Sequence, residues 1–153
     1  MNIITHALAP VIIIQWLNPK LKNSNIKFLG LMLLFGALPD LLNPHFTLEG
    51  RLLSWSHALP CWLTITIFLW LTHRYLKSYL PLTIACFCSF AYLFHIACDA
   101  ITGGVSLFYP FNKYLFGGYY IHSLLWIALD IVSLVLFYIY FRSVILKTIL
   151  KVY

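Results

Sequence analysis

The chain has 153 residues, enough for one domain by length, and a formal net charge of +6. Hydrophobic residues make up 62% and charged residues only 9%; so few charges could not cover the surface of a soluble protein, which excludes that class and indicates a protein embedded in a lipid bilayer. The ten Lys and Arg residues stand at the ends of apolar runs and form no basic stripe, so the positive charge does not indicate nucleic-acid binding.

Five apolar segments follow one another and predict an all-α membrane helix bundle of four to five helices, in a single domain over residues 1–153. The segments are about residues 3–17, 28–42, 55–72, 79–100 and 121–141. The last three are long enough to span, because about 20 helical residues cross the hydrocarbon core. The first two are shorter, and are either short spans or a helical pair that enters the bilayer only partway.

The connections between these segments differ in positive charge. Lys and Arg residues are frequent after the first and third segments and in the tail, at Lys20, Lys22, Lys27, Arg74, Lys77, Arg142, Lys147 and Lys151. The second and fourth connections, on the opposite side of the membrane, hold only Arg51 and Lys113. Because positive loops stay in the cytoplasm, we expect a multi-pass inner (plasma) membrane protein with its N-terminus outside and its C-terminus cytoplasmic.

Three acidic residues, Asp40, Asp99 and Asp130, stand in or against apolar segments. A carboxylate at the bilayer centre costs about 2.5–3.5 kcal/mol on insertion scales, so each needs a cation, a partner or a water-filled cavity. His95 and Asp99 are also spaced so that they share one face of a helix, where both could hold a single cation.

On the predicted topology, histidines and acids from every segment fall toward the outer membrane face. They are His6, Asp40, His57, His95, Asp99, His122 and Asp130. Imidazole and carboxylate groups form a mixed nitrogen and oxygen set that suits zinc, and manganese or iron less specifically. The pattern therefore predicts a divalent metal site at the outer end of the bundle.

Each of these residues also has a structural interpretation. His6, His57 and His122 are typical of helix starts and membrane interfaces, and Asp40 after Pro39 is typical of a helix end. His95 and Asp99 could form a buried hydrogen-bonded pair. Asp130 could hold a ligand imidazole in place or belong to a proton path.

Four motifs in one order resemble a known family over about residues 1–130. They are Thr5-His6, Gly36-Ala-Leu-Pro39-Asp40, Ser56-His57-Ala58, and His95-x3-Asp99-x2-Thr102-x-Gly104 with Pro110-Phe111. The set resembles the YdjM-type family, whose members are called inner-membrane metal-dependent hydrolases and are found in bacteria. That family is in turn similar to the zinc-dependent phospholipase C and single-strand nuclease group.

The resemblance implies a helical site in which zinc is the metal and five residues bind it: His6, Asp40, His57, His95 and Asp99. Asp99 would be able to bridge two ions. The family's second Asp after the Pro-Asp pair is replaced here by Leu42 and Asn43. The phospholipases' final His-rich motif ending in Glu has no match, so we expect one or two ions.

The predicted function is a phospholipase C-like hydrolase acting on a lipid phosphoester at the outer leaflet. The metal would activate water, and Asp40 or Asp130 would take its proton. Membrane lipids are the expected partners and nucleic acid is not one. An alternative is a small divalent-cation transporter, or a non-catalytic membrane protein, using the same His/Asp cluster. A transport path would need polar residues that continue inward from the cluster. The sequence offers Asp130, Ser133, Thr64 and Thr66, and no acid near the inner face.

Overall fold

The computed structural model describes residues 3–18, 26–44, 50, 52–122 and 124–150. Its α-helices in these ranges are α1 (Ile3–Leu17), α2 (Ile26–Leu42), α3 (Leu59–Tyr75), α4 (Leu82–Ile101) and α5 (Leu124–Leu150). No strand occurs among the described residues, so the predicted all-α fold is confirmed. The positive residues Lys20, Lys22, Arg51 and Lys151, which contribute to the predicted orientation, lie outside the described ranges.

Helix α3 begins later than the sequence predicts. Residues Trp55–His57 form a 3-10 turn, and Ala58 is an extended N-cap before a first turn that contains Pro60. Proline is favoured there because its missing N–H would have no partner in the helix. The helix has 17 residues and continues to Tyr75, beyond the predicted end at residue 72, so its length is at the lower limit for a membrane span.

Two helices are long and apolar enough to cross a membrane by length and composition. They are α4 and the Leu124–Arg142 part of α5. The apolar stretch of α4 is 56% buried inside the protein, whereas that of α5 is 17% buried. Helix α4 is therefore the central helix, packed against α1, α2 and α3, and α5 lies at the edge against α1.

The core lies where α1, α2 and α4 meet. Its buried members include Val11 and Ile14 of α1, Met32 of α2, and Tyr92 and Ile96 of α4. The three helices approach closely at one end of this core, at Gly36 of α2. A Cβ on that residue would lie 2.8 Å from the His6 carbonyl oxygen, so only glycine allows the observed contact between α1 and α2.

Residues 102–120 form a hairpin-like cover at the C-terminal end of α4. Two isolated β-bridges, Thr102 with Tyr119 and Val105 with Phe116, hold its two halves together. The Gly118 N–H donates to the carbonyl of Ala100 in the last turn of α4, at 2.9 Å. Such bonds satisfy carbonyls that a helix end leaves without partners, and they fix the cover beside the end of α4 that carries Asp99.

Candidate metal centre

Four predicted ligands from three elements meet at one point. Asp40 lies in the last turn of α2, His57 ends the 3-10 turn, and His95 and Asp99 lie one helical turn apart in α4. Each offers one donor atom, and these four atoms all lie within 4.8 Å of one another. The two histidines and Asp99 are fully buried, whereas the Asp40 side chain is 23% exposed.

The spacing of these donor atoms matches that of a tetrahedral ion. His57 Nε2 lies 3.2 Å from His95 Nε2, 3.1 Å from Asp99 Oδ2 and 3.3 Å from Asp40 Oδ1. His95 Nε2 lies 3.3 Å from Asp99 Oδ2 and 3.6 Å from Asp40 Oδ1. Ligands about 2.0–2.2 Å from a tetrahedral ion are about 3.3–3.6 Å apart, and these five separations, from 3.1 to 3.6 Å, are close to that range.

The far nitrogen of each imidazole is held by a neighbouring group. His95 Nδ1 is 2.7 Å from the carbonyl oxygen of Gly36. Because a carbonyl can only accept, Nδ1–H is the donor, and in a neutral ring the lone pair of Nε2 faces the cluster. His57 Nδ1 lies 3.1 Å from the hydroxyls of both Ser54 and Ser56. Contacts of this kind orient histidine ligands in metal sites.

His6 lies on the other side of both carboxylates. Its Nε2 is 3.4 Å from Asp99 Oδ1 and its Nδ1 is 3.9 Å from Asp40 Oδ2. These are the oxygens that do not face the four-atom group. The ring packs against His95 with centroids 4.1 Å apart, and neither ring nitrogen has a hydrogen-bond partner among the described residues. His6 is thus a buried imidazole in contact with two acids that it shares with the cluster.

Asp130 and His122 are placed differently. Asp130 is buried in α5, where its Oδ1 accepts hydrogen bonds from the backbone N–H of Thr5, at 3.1 Å, and from the Thr5 hydroxyl. It does not belong to the four-residue group, and its predicted part in proton transfer stays a prediction. His122 is exposed and accepts the N–H of Leu124 at the start of α5.

The supporting residues Thr5, Gly36, Ser54 and Ser56 were not predicted to have a role in the site. Three of them adjoin or belong to the motifs at His6, Asp40 and His57, so a signal was present. What the sequence does not give is the contact itself. The Gly36–His95 bond joins two helices, and the Thr5–Asp130 bond joins residues 125 positions apart.

The chain was compared with protein families, curated proteins and solved structures. The family described as YdjM inner membrane protein matches residues 1–152, nearly the whole chain. That description names a location and no activity. No curated protein and no solved structure matches the chain.

Proposed function

Since the chain belongs to the YdjM inner membrane protein family, we propose that it is a membrane-embedded hydrolase that depends on a divalent metal ion. The observation that carries the proposal is the near-tetrahedral spacing of the donor atoms of Asp40, His57, His95 and Asp99. Two imidazoles and two carboxylates are a donor set that suits zinc. The fully buried Asp99 and the partly buried Asp40 lie on the same histidines, and a cation would supply the positive charge that such acids need nearby.

A bound ion would lower the pKa of a coordinated water to about 7 and neutralise charge that develops on a phosphoryl oxygen. Around it, Gly36, Ser54 and Ser56 hold the two imidazoles in their observed orientation. Asp40 is the most exposed member of the cluster, and we assign to it the proton of the attacking water. Asp130, the other acid predicted for that step, is bound to Thr5 instead.

His6 is the candidate ligand for a second ion. Its ring contacts the oxygens of Asp40 and Asp99 that do not face the four-residue cluster. With His6 as the ligand on that side, the chain would bind one or two ions, with zinc the expected metal.

An apolar cavity of about 340 Å³ lies between α3 and α4. It is lined by residues that include Trp62, Thr66, Ser89 and Leu93, and none of the four cluster residues lines it. The Ser89 hydroxyl bonds that of Thr66 at 2.7 Å and accepts the Trp62 N–H at 3.1 Å. With its polar groups paired in this way, the cavity suits a hydrocarbon chain.

The leaflet follows from the predicted orientation. With the N-terminus outside and the C-terminus in the cytoplasm, the cluster lies at the outer end of the bundle. A phosphoester headgroup of the outer leaflet would reach the metal there while its acyl chain stays among the helices. We therefore propose a lipid phosphoester as the substrate class.

The test is metal analysis combined with an assay of lipid hydrolysis. Protein purified without chelators or a nickel-affinity tag is expected to carry stoichiometric zinc and to release the headgroup of a phospholipid. Asp99→Asn should lose both, because it removes a ligand charge at the centre of the cluster. Ser133→Ala, which changes a buried polar residue of α5 outside the cluster, should retain both.

Two results would contradict the proposal. Wild-type protein without stoichiometric metal would show that the acids and imidazoles pair only with each other. Bound zinc without hydrolysis, together with zinc uptake in proteoliposomes, would favour the transporter.

A further inference from the structure

Asp130, which has no part in the proposed hydrolysis, is bound to the first turn of another helix. It lies in α5, and its Oδ1 accepts both the backbone N–H and the hydroxyl of Thr5 in α1. Thr5 is 4% exposed and Asp130 is 7% exposed, so the contact is closed off from the surroundings.

Thr5 is at a position where a helix needs an external acceptor. The first four N–H groups of a helix have no partner within it, and the burial of Thr5 keeps solvent from taking that place. A negative group is also favoured at this end by the helix dipole. Asp130 therefore caps α1 from a different helix.

The residue after Thr5 is His6, whose ring contacts Asp99, Asp40 and His95. The ring itself makes no hydrogen bond to a described residue. Its position is therefore set by the backbone of α1, which the bond from Thr5 to Asp130 fixes relative to α5. From this arrangement we propose that Asp130 is a positioning residue, which anchors the first turn of α1 and thereby holds His6 against the two shared carboxylates.

This inference rests on the proposed function only in assigning metal binding to His6. The sequence leaves two roles open for Asp130, holding a ligand imidazole in place or accepting a proton, and the contact with Thr5 favours the first, exerted through the backbone of α1. The two roles respond differently to substitution of its partner. Thr5→Val removes the hydroxyl donor and leaves the Asp130 carboxylate intact. It should therefore weaken a positioning role of Asp130 and leave a proton-accepting role unchanged.

The variants form a graded series. Asp130→Ala removes the acceptor, and we expect zinc affinity and hydrolysis to fall by about 10–100-fold, as when partners of metal ligands are removed. Thr5→Val should weaken both in the same direction. Thr5→Ser keeps both donors and should resemble wild type, and Asp130→Asn, which keeps an acceptor oxygen, should lose less than Asp130→Ala. Thr64→Val, whose hydroxyl bonds within α3, is the matched control.

A double-variant comparison tests the route of the effect. If Asp130 acts through His6, adding Asp130→Ala to His6→Ala should change zinc affinity by no more than about twofold, since the two changes affect one interaction. If the fold-losses of zinc affinity in the two single variants instead multiply in the double variant, the proposal is overturned. It is also overturned by a Thr5→Val protein that keeps wild-type zinc affinity and activity while Asp130→Asn loses its activity, because that pattern is expected of a proton acceptor.

A readout without metal separates this inference from the proposed function. In a His6→Cys variant, maleimide labelling of the residue 6 peptide, followed by mass spectrometry, reports the exposure of that position. Labelling should be slow with Asp130 present and at least several-fold faster with Asp130→Ala or Thr5→Val. Unchanged labelling would overturn the positioning role even if zinc is bound, and faster labelling would support it even if the protein binds no zinc.

Discussion

Gly36 serves the candidate site in two ways at one residue. Its carbonyl oxygen receives the His95 Nδ1–H, and its lack of a Cβ allows the backbone of α1 to approach at His6. Both features place a histidine next to the acids. A substitution here therefore disturbs the site from two sides while leaving every candidate ligand unchanged.

Gly36→Ala is expected to destabilise the protein by about 1–3 kcal/mol, because its Cβ would press on the α1 backbone. It should also weaken zinc binding. Gly30→Ala in the same helix is the matched control, since a Cβ there meets nothing within 4 Å, and it should be neutral or stabilising by up to about 1 kcal/mol. Unfolding titration in mixed micelles measures the stability of the two variants. Equal losses of stability would contradict the close contact of Gly36 with the backbone of α1.

The hydroxyls behind His57 give a second prediction at this scale. Replacing both Ser54 and Ser56 by alanine leaves His57 Nδ1 without its two observed partners. Zinc affinity, measured by competition with a chelator, should fall by about 10–100-fold, while zinc still binds. Affinity within twofold of wild type would show that these hydroxyls do not orient the imidazole.

At the scale of elements, the cover of residues 102–120 depends on Gly117. This residue has a φ of +92°, and a Cβ on it would lie 1.8 Å from the carbonyl oxygen of Ala100 in α4. Gly118 next to it has only ordinary contacts, the nearest being the Tyr120 ring at 3.8 Å. The two glycines thus differ sharply although they are adjacent.

Gly117→Ala should displace the cover from the end of α4 and lower stability by at least about 1–3 kcal/mol, because both the backbone angle and the space exclude a side chain. Gly118→Ala should change stability by less than about 1 kcal/mol. Thermal unfolding of the two purified variants in detergent gives the comparison. Similar melting temperatures for both would count against the observed path of the cover.

The helices themselves are largely predictable, because long apolar runs need only be counted. Their ends are less so: α5 continues to Leu150, beyond the predicted end at residue 141. At the start of α3 the apolar run at residue 55 continues through a 3-10 turn and an extended residue before the helix starts at Leu59. The apolar pattern does not indicate this late helix start, although Pro60 in the first turn does. The turn matters for the site, since it places His57 on the cluster rather than on a helix face.

For the molecule as a whole, the prediction concerns its orientation in the membrane. The excess of Lys and Arg in the first and third connections and in the tail predicts an outside N-terminus and a cytoplasmic C-terminus. A reporter active only in the cytoplasm should function when fused after residue 153 and fail when fused before residue 1. The reverse result would move the cluster to the inner leaflet and change the proposed substrate pool.

The sequence predicts which residue types gather at one end of the bundle, because alternating spans bring every second connection to the same face. The sequence does not predict the side-chain contacts between helices. That Asp40 and Asp99 each direct one oxygen to the histidine pair and the other toward His6 depends on helix rotation. That Asp130 binds Thr5 depends on the packing of α5 against α1, which an apolar pattern alone does not specify.

The bond between Thr5 and Asp130 joins residues 125 positions apart, and it sets an order for assembly during synthesis. Ribosomes add about 5–20 residues per second, so α1 waits on the order of ten seconds before its cap exists. The segment from Asp40 to Asp99 is complete earlier. The four-atom group can therefore form in a nascent chain, while the placement of His6 is finished only when the last helix has entered the membrane.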